Sequence, residues 1–498
     1  MPDNYKTSLK ATALFGGVQI YSILISIIKN KFIAVLLGTE GMGISGLLNQ
    51  TTQVISTLTN FGLRNSAVRD IAVTNVTGNN YEVSKTVIVL RRLIWITGLL
   101  GTIITIALSP WLSKLVFGSD KYTIAFLFLS VTLLFDQISS GQIVLMQGLR
   151  KYNYLAKSNL FGQTFGLLIS VPLYYFWRID SIVPVLIISS VISLLLSFFF
   201  AKKIPILKLQ VDKLTTLKKG IDMAKLGLAL SFSGIATLIF AYILRLFISN
   251  IGGIDEVGLY VAGFAITETY VGLIFSAMGT DYYPRLVGVI NDKDKTKSLV
   301  CDQIMIGLLL IFPLLIAFII FSPFLIKLLF STKFLSLVFF LKTVMLGMLF
   351  RVCSWSLGYV IIANNDSKLL FFSSTIFAVF MLILNIYFYF FFGIDGLGVS
   401  YAIVYFFHLF WNGFIVYKKY NLLLNEEIIK YLSVLAFFVF SCYFISIFYN
   451  SVISTVGLCL LLLLSSVFTL YQLEKRSGLI TVIKNKIKLY EKKNNKDI

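Results

Sequence analysis

Lys29, Arg245 and Arg351 each place a cation inside a long apolar run. An ionised side chain at such a depth costs at least about 2.5–3.5 kcal/mol unless it is paired or hydrated. Two kinds of chemistry can offset that cost: a salt bridge that locks helices together, or charge-assisted hydrogen bonds to an anionic ligand. Lys31 and Lys342 are further cations in apolar runs, and Asp136 and Glu268 are the acids at comparable depth. Burial favours the neutral form of a carboxyl group, so Glu268 is a candidate for coupling to a proton or a metal cation such as sodium. His408, the one histidine, either relays protons or forms a helix-packing hydrogen bond. Arg64, Arg69 and Asp70 follow the second apolar run and serve as an inner gate or as interfacial anchors.

Lys29 falls on Arg245 at an offset of 216 residues. Either both snorkel to outer headgroups, or they face a shared cavity, one from each half of the chain. Lys29 and Lys31 point about 200° apart on a helix, so one cavity cannot take both. Lys29 is preferred because it has a basic counterpart. Asp136 falls on Arg351 at an offset of 215, near mid-span in each half. That pair is either a structural bridge or part of a substrate or coupling site.

The elements that position these residues are apolar helices. The chain has 498 residues, 57% hydrophobic and 13% charged, a balance that points to a polytopic membrane protein. Unbroken runs of about 20 residues satisfy their own backbone polar groups as helices, and the shorter alternating segments of a membrane barrel are absent. Fourteen spans are expected between residues 11 and 473. The first run carries no small-residue cleavage site and is expected to be a retained span. The four cysteines lie in or beside apolar segments and read as small buried hydrophobes.

Short matches in one register reveal an internal repeat. Gly38, Glu40 and Gly43 fall on Gly253, Asp255 and Gly258 at an offset of 215. Phe117 falls on Phe330, Asp180 on Asp395 and Gly62 on Gly279, at offsets of 213 to 217. Several weak matches at one period outweigh any one of them. The expected organisation is an N-lobe over 1–201, a basic amphipathic connector over 202–225 on the cytoplasmic surface, a C-lobe over 226–416, two extra spans over 417–473, and a basic tail over 474–498. Six spans per copy is an even number, so both copies enter from the same side. They are expected to be related by a pseudo-two-fold along the membrane normal, with a cavity between the lobes. The acids in the outer turns, Glu40, Asp120, Asp180, Asp255 and Asp395, are expected to cap the helices that follow.

With a cytoplasmic N-terminus, 33 of the 43 Lys and Arg residues fall on the inner side and 5 on the outer. That is a strong positive-inside bias and places both termini in the cytoplasm. Anionic lipid on that leaflet accounts for the net charge of +20 without a nucleic-acid partner. No GxxxxGK[ST], HExxH or GxSxG motif occurs, and no connection is long enough for a catalytic domain. Transport is the function class left, with no enzyme activity and no resident cofactor or metal.

Fourteen spans, two six-helix repeats, LLGTEGMGI after the first helix and NFGLRNSAVRDIA after the second resemble the polysaccharide-exporter flippases, the O-antigen translocases. Their wider superfamily includes multidrug and toxin extruders and the lipid II flippase. The resemblance covers roughly residues 5–473. It implies alternating access in a bacterial inner membrane, moving an undecaprenyl-diphosphate-linked oligosaccharide to the outer leaflet on a proton or sodium gradient. Membrane lipids and a polysaccharide polymerase complex are the implied partners. It also implies a cavity lined by cations of the first helix, matched here by Lys29. The first helix departs from the lipid II flippase, which is Arg-rich where this chain carries only Lys29 and Lys31. A multidrug exporter of the same fold, expected to hold a more acidic cavity, and a membrane polysaccharide polymerase or ligase are the alternatives.

Overall fold

The fold is known from a computed structural model, which describes residues 3–76, 78–448 and 452–477. Among these residues the chain is all-α, with no strand. Its helices are α1 (Asp3–Leu36), α2 (Gly38–Thr59), α3 (Leu63–Val76), α4 (Asn80–Phe117), α5 (Thr123–Gly148), α6 (Tyr152–Trp177) and α7 (Ile182–Ala201). They continue as α8 (Lys213–Phe264), α9 (Gly272–Val289), α10 (Lys293–Leu329), α11 (Leu337–Ala363), α12 (Ser367–Tyr420), α13 (Glu426–Phe448) and α14 (Val452–Ser477). A π-helical segment, Ala265–Val271, joins α8 to α9.

Among the described residues, ten stretches are long and apolar enough to cross a membrane. The expected fourteen spans are regrouped among them for two reasons. Tyr152–Ala201, Gly234–Val289 and Ser367–Tyr420 each run 50 residues or more and hold two expected spans. The last two turn back at Gly253 (φ 83°) and Gly393 (φ 57°), backbone conformations that glycine adopts without steric cost. The second expected span, α2, is missing from the ten because its sequence GTEGMGISGLLNQTTQVISTLT is too polar. It is nonetheless largely buried, by the protein itself. Part of the expected tail, 478–498, lies outside the described residues.

Glu40, Asp120 and Asp180 sit in the first turns of their helices, where the dipole favours an acid, but none of these helices has the expected side-chain cap. Asp120 pairs with Lys114 at 3.4 Å, and Asp255 accepts a hydrogen bond from the Thr39 hydroxyl. Capping falls instead to Asn79, which takes the Tyr81 and Glu82 amides at the start of α4, and to Asp366, which takes the Leu369 amide of α12.

By contact the chain forms two units, Met1–Phe264 with Leu329–Phe334, and Ala265–Leu328 with Leu335–Ile498. In the first, α2 packs along α8, α4 on α5, α5 on α7, and α6 on α7 and α1. Ile71, Leu90, Ile94, Val144, Met146 and Phe200 are core residues there. The connector divides: residues 205–212 are irregular, while Lys213 onward is the first part of α8. Arg92 fixes the irregular part, donating to Val211 O and Thr216 Oγ1 at 2.7 Å each. In the second unit α11 packs on α12, α9 and α13, and α13 on α14.

Candidate functional site

The first unit carries two of the intramembrane cations. Arg245 projects from α8 toward α2, a helix able to receive it because Gly46 and Gln50 face that way. Its Nη1 donates to Gln50 Oε1 at 2.7 Å and to Gly46 O at 3.5 Å. The guanidinium carbon lies 5.7 Å from the Tyr260 ring centroid. Among the described residues no carboxylate pairs with it, and its Nε is buried without a hydrogen-bond partner. One turn away the Tyr242 and Thr51 hydroxyls meet at 3.0 Å, again joining α8 to α2. This is a polar seam along a helix crossing, with a surplus positive charge in it.

Lys29 lies half-buried on α1 and meets no hydrogen-bond or ion-pair partner among the described residues. Lys31 turns elsewhere: its Nζ donates to Phe330 O at 2.5 Å, in the short segment before α11. The two lysines are therefore in different surroundings, as their spacing requires. Lys29 and Arg245 share no partner. Asp136, exposed on α5, has no ion pair among the described residues, whereas its neighbour Gln137 ties α5 to Ser56 O of α2 at 3.2 Å. Arg64 and Arg69 are exposed on α3. Burial lifts the Asp70 carboxyl above its ordinary range, and the nearby Arg69 and Lys219 oppose that shift.

The second unit gathers the remaining candidates around α11. Arg351 forms a bidentate ion pair with Glu268: Nη1 to Oε1 at 2.5 Å and Nη2 to Oε2 at 2.8 Å. Its Nη1 also donates to Tyr401 Oη at 2.7 Å, and Tyr401 Oη lies 3.4 Å from Glu268 Oε1. The Phe275 and Tyr405 rings sit 5.1 and 5.2 Å from the guanidinium carbon. The pair is asymmetric in exposure, 16% for the Arg351 side chain and 41% for Glu268. The cation is thus fixed in an aromatic cage while its carboxylate stays reachable. Arg351 is paired within its own unit, and the sequence match to Asp136 does not describe that contact. Lys342, on the same helix, donates to Ser446 O at 2.8 Å.

His408 continues the same network. Its Nδ1 is 3.0 Å from Ser354 Oγ of α11, and its Nε2 is 3.3 Å from Asn412 Nδ2 on its own helix, which itself donates to Ser354 O at 3.0 Å. Ser354 Oγ in turn donates to Arg351 O at 3.3 Å. The Phe377 ring stacks on the imidazole at 3.8 Å.

Sequence reasoning did not find Gln50, Tyr260, Tyr401, Tyr405 or the π-helical segment. Gln50 had a signal in the run NQTTQ, which is unusual for a buried membrane helix. The aromatic residues had none, because 15% of the chain is Phe, Trp or Tyr. No group of three or more His, Cys, Asp or Glu residues suited to a metal ion occurs among the described residues.

Comparison with known proteins places this geometry in a family and a fold. Residues 32–339 match a family described as polysaccharide biosynthesis protein. No curated protein matches the chain. Among solved structures, the lipid II flippase MurJ in an inward closed conformation is 16% identical with a TM-score of 0.69, over 94% of this chain and 100% of that one. An inward-facing multidrug resistance MATE family transporter of the MOP superfamily is 14% identical with a TM-score of 0.63, over 84% of this chain and 98% of that one. A MOP superfamily transporter from Pyrococcus furiosus is 13% identical with a TM-score of 0.55, over 82% and 96% of the two chains. At such identities the likeness is one of fold. With ten apolar stretches, the chain is a multi-pass α-helical membrane protein of that fold.

Proposed function

Because the chain belongs to the polysaccharide biosynthesis protein family, we propose that it is a flippase for an undecaprenyl-diphosphate-linked oligosaccharide, such as an O-antigen repeat unit. The lipid II flippase supplies the precedent of fold for a lipid-linked cargo. A diphosphate–sugar headgroup cannot enter hydrocarbon, because its ionised groups would lose their hydration. Cations held at membrane depth replace that water with charge-assisted hydrogen bonds, while the polyprenyl chain stays in lipid. Transport follows alternating access across the bacterial inner membrane, and the distribution of Lys and Arg supports cytoplasmic termini.

One observation carries the reading: among the described residues Arg245 holds a positive charge in a membrane-spanning unit with only neutral partners, Gln50, Gly46 and Tyr260. A site built for a cationic drug would not leave that charge uncompensated. Lys29 supplies a second cation on α1. Arg351 does not serve as a third, since Glu268 already neutralises it. That pair is instead the coupling element. A proton or sodium ion arriving at the accessible face of Glu268 competes with Arg351, and release of the guanidinium shifts α11 against the π-helical segment. Tyr401 and Tyr405 face the pair, and His408 adjoins it through Ser354.

Reconstituted vesicles test the assignment. Lys29→Gln with Arg245→Gln should reduce delivery of a lipid-linked oligosaccharide to the outer leaflet at least tenfold, and Arg245→Lys should restore part of it. Wild-type delivery by the double variant, at equal protein, would overturn the proposal.

A further inference from the structure

A cleft of about 780 Å³ opens in the first unit among α4, α5, α7 and the chain that follows α7. Its size is within the range of small-ligand sites, about 300–1,000 Å³. Three cations line it: Arg91 from α4, and Lys202 and Lys208 from beyond α7. No acidic side chain does. Arg91, Lys202 and Lys208 have no hydrogen-bond or ion-pair partner among the described residues, in contrast to Arg92, which holds the connector. The rest of the wall is mainly apolar, including Trp95 one turn along α4 from Arg91, with Leu195 and Phe198 on α7.

The cleft is graded along its length. The cations cluster where α7 ends, and the α5 wall runs from Gln142 to Leu134, roughly 12 Å of depth at ~1.5 Å per residue. Gln142 is 8% exposed, faces the cleft and makes no hydrogen bond among the described residues. Its amide opens to the cleft rather than to the protein interior, so its donor is available to an acceptor bound there. Trp95, one turn from Arg91, is of the residue type favoured at the boundary between headgroups and acyl chains. The order is therefore positive charge, a hydrogen-bond donor, then hydrocarbon.

We infer that this cleft binds one anionic glycerophospholipid. Its phosphate lies among Arg91, Lys202 and Lys208, an ester carbonyl accepts from Gln142 Nε2, and one acyl chain runs past Trp95 and Phe198. Basic pockets between helices on the cytoplasmic side take anionic headgroups in this way. The site is separate from Arg245 and Lys29, so lipid composition can affect the protein without competing for cargo.

Native mass spectrometry of the purified full-length protein tests this with phosphatidylglycerol as probe. The wild type should keep one phosphatidylglycerol through detergent exchange and bind phosphatidylethanolamine at least tenfold more weakly. The triple variant Arg91→Gln, Lys202→Gln, Lys208→Gln should lose that lipid, and Lys202→Arg with Lys208→Arg should keep it. Leu195→Trp keeps every charge at an already exposed apolar position and should also exclude the lipid by filling the cleft. It therefore decides the matter if the triple variant does not fold. Equal retention of the two lipids, undiminished retention by Leu195→Trp, or retention of polyprenyl diphosphate in place of phosphatidylglycerol would overturn the inference.

Discussion

Gly43 and Gly258, 215 residues apart, each lie against the backbone carbonyl that the other's repeat prescribes. A Cβ on Gly43 would stand 2.1 Å from Ile254 O, and one on Gly258 would stand 2.0 Å from Thr39 O. Thr39 and Ile254 are themselves 215 residues apart, and so are Gly46 and Val261, which touch each other. Reciprocal contact of equivalent residues is the mark of a two-fold relation. In the first unit, then, α2 and the end of α8 cross about a local pseudo-two-fold, and that crossing positions Gln50 for Arg245.

Gly43→Ala and Gly258→Ala should each destabilise the protein by roughly 1–3 kcal/mol, because a methyl group must push two helices apart. Gly253→Ala is the control. Nothing lies within 4 Å of its Cβ position, but its backbone angles (φ 83°, ψ 179°) belong to a region that is essentially glycine's alone. It should cost about 1–3 kcal/mol through backbone strain. The two causes separate in a double variant. Gly43→Ala with Gly258→Ala should fall short of additive, since one displacement relieves both clashes, whereas Gly43→Ala with Gly253→Ala should add. Thermal melting in detergent reads all of these.

Arg245→Met should separate stability from function. The methionine fills similar space and removes a half-buried charge that lacks an anion, so the melting midpoint should rise, by the equivalent of about 1–3 kcal/mol. Transport should be lost. A fall in stability together with retained transport would make Arg245 a structural residue.

The Glu268–Arg351 pair should show strong coupling in a double-mutant cycle. Arg351→Gln or Glu268→Gln alone leaves one charge without its partner, and the double variant leaves none. The coupling energy should be about 1–2 kcal/mol. That is below the ~3–5 kcal/mol cost of breaking a fully buried pair, because the Glu268 side chain is 41% exposed. All three variants should lose dependence on the proton or sodium gradient, measured by imposing each gradient in turn on the same vesicles.

Much of this architecture was legible in the sequence for a definite reason. Helices in lipid announce themselves by unbroken apolar length, and the repeat was carried in part by glycines at a close helix crossing, such as Gly43 and Gly258. Lys29, Arg245, Glu268, Arg351 and His408 stood out because a charged or titratable group among apolar neighbours is conspicuous. Their partners did not. Gln50 is paired with Arg245 by the angle at which two helices cross, and Glu268 with Arg351 by a local change of helical pitch. Neither geometry leaves a periodic trace, so offset alone suggested Asp136 as the residue to consider with Arg351.

Asp366 gives a pH-dependent prediction outside the membrane spans. Its carboxylate accepts from the Lys419 ammonium and then from the Leu369 amide at 3.2 Å, and these bonds hold its pKa below the ordinary value. A depressed folded-state pKa stabilises the protein above the unfolded value, about 4, and that contribution fades as pH falls through the lower folded value. The melting midpoint should therefore be steady above roughly pH 5 and decline below 4. Asp366→Asn keeps a capable helix cap but removes the ion pair. It should melt lower at neutral pH and lose this part of the acid slope.

The π-helical segment is the last element open to a direct test. A π-helical turn holds one residue more than α-helical winding needs, and here the surplus falls between α8 and an α9 anchored by Phe275 against Trp355 of α11. Removing Thr269, whose side chain is exposed, should restore α-helical winding with little loss of packing. With α9 held in place, Glu268 would then turn by about 100° around the helix axis and leave Arg351 unpaired. Deletion of Thr269 should abolish gradient-driven transport while leaving helix content by circular dichroism unchanged. Transport in the deletion variant equal to that of the wild type would mean that the pitch change, and the ion pair it creates, are not part of the transport cycle.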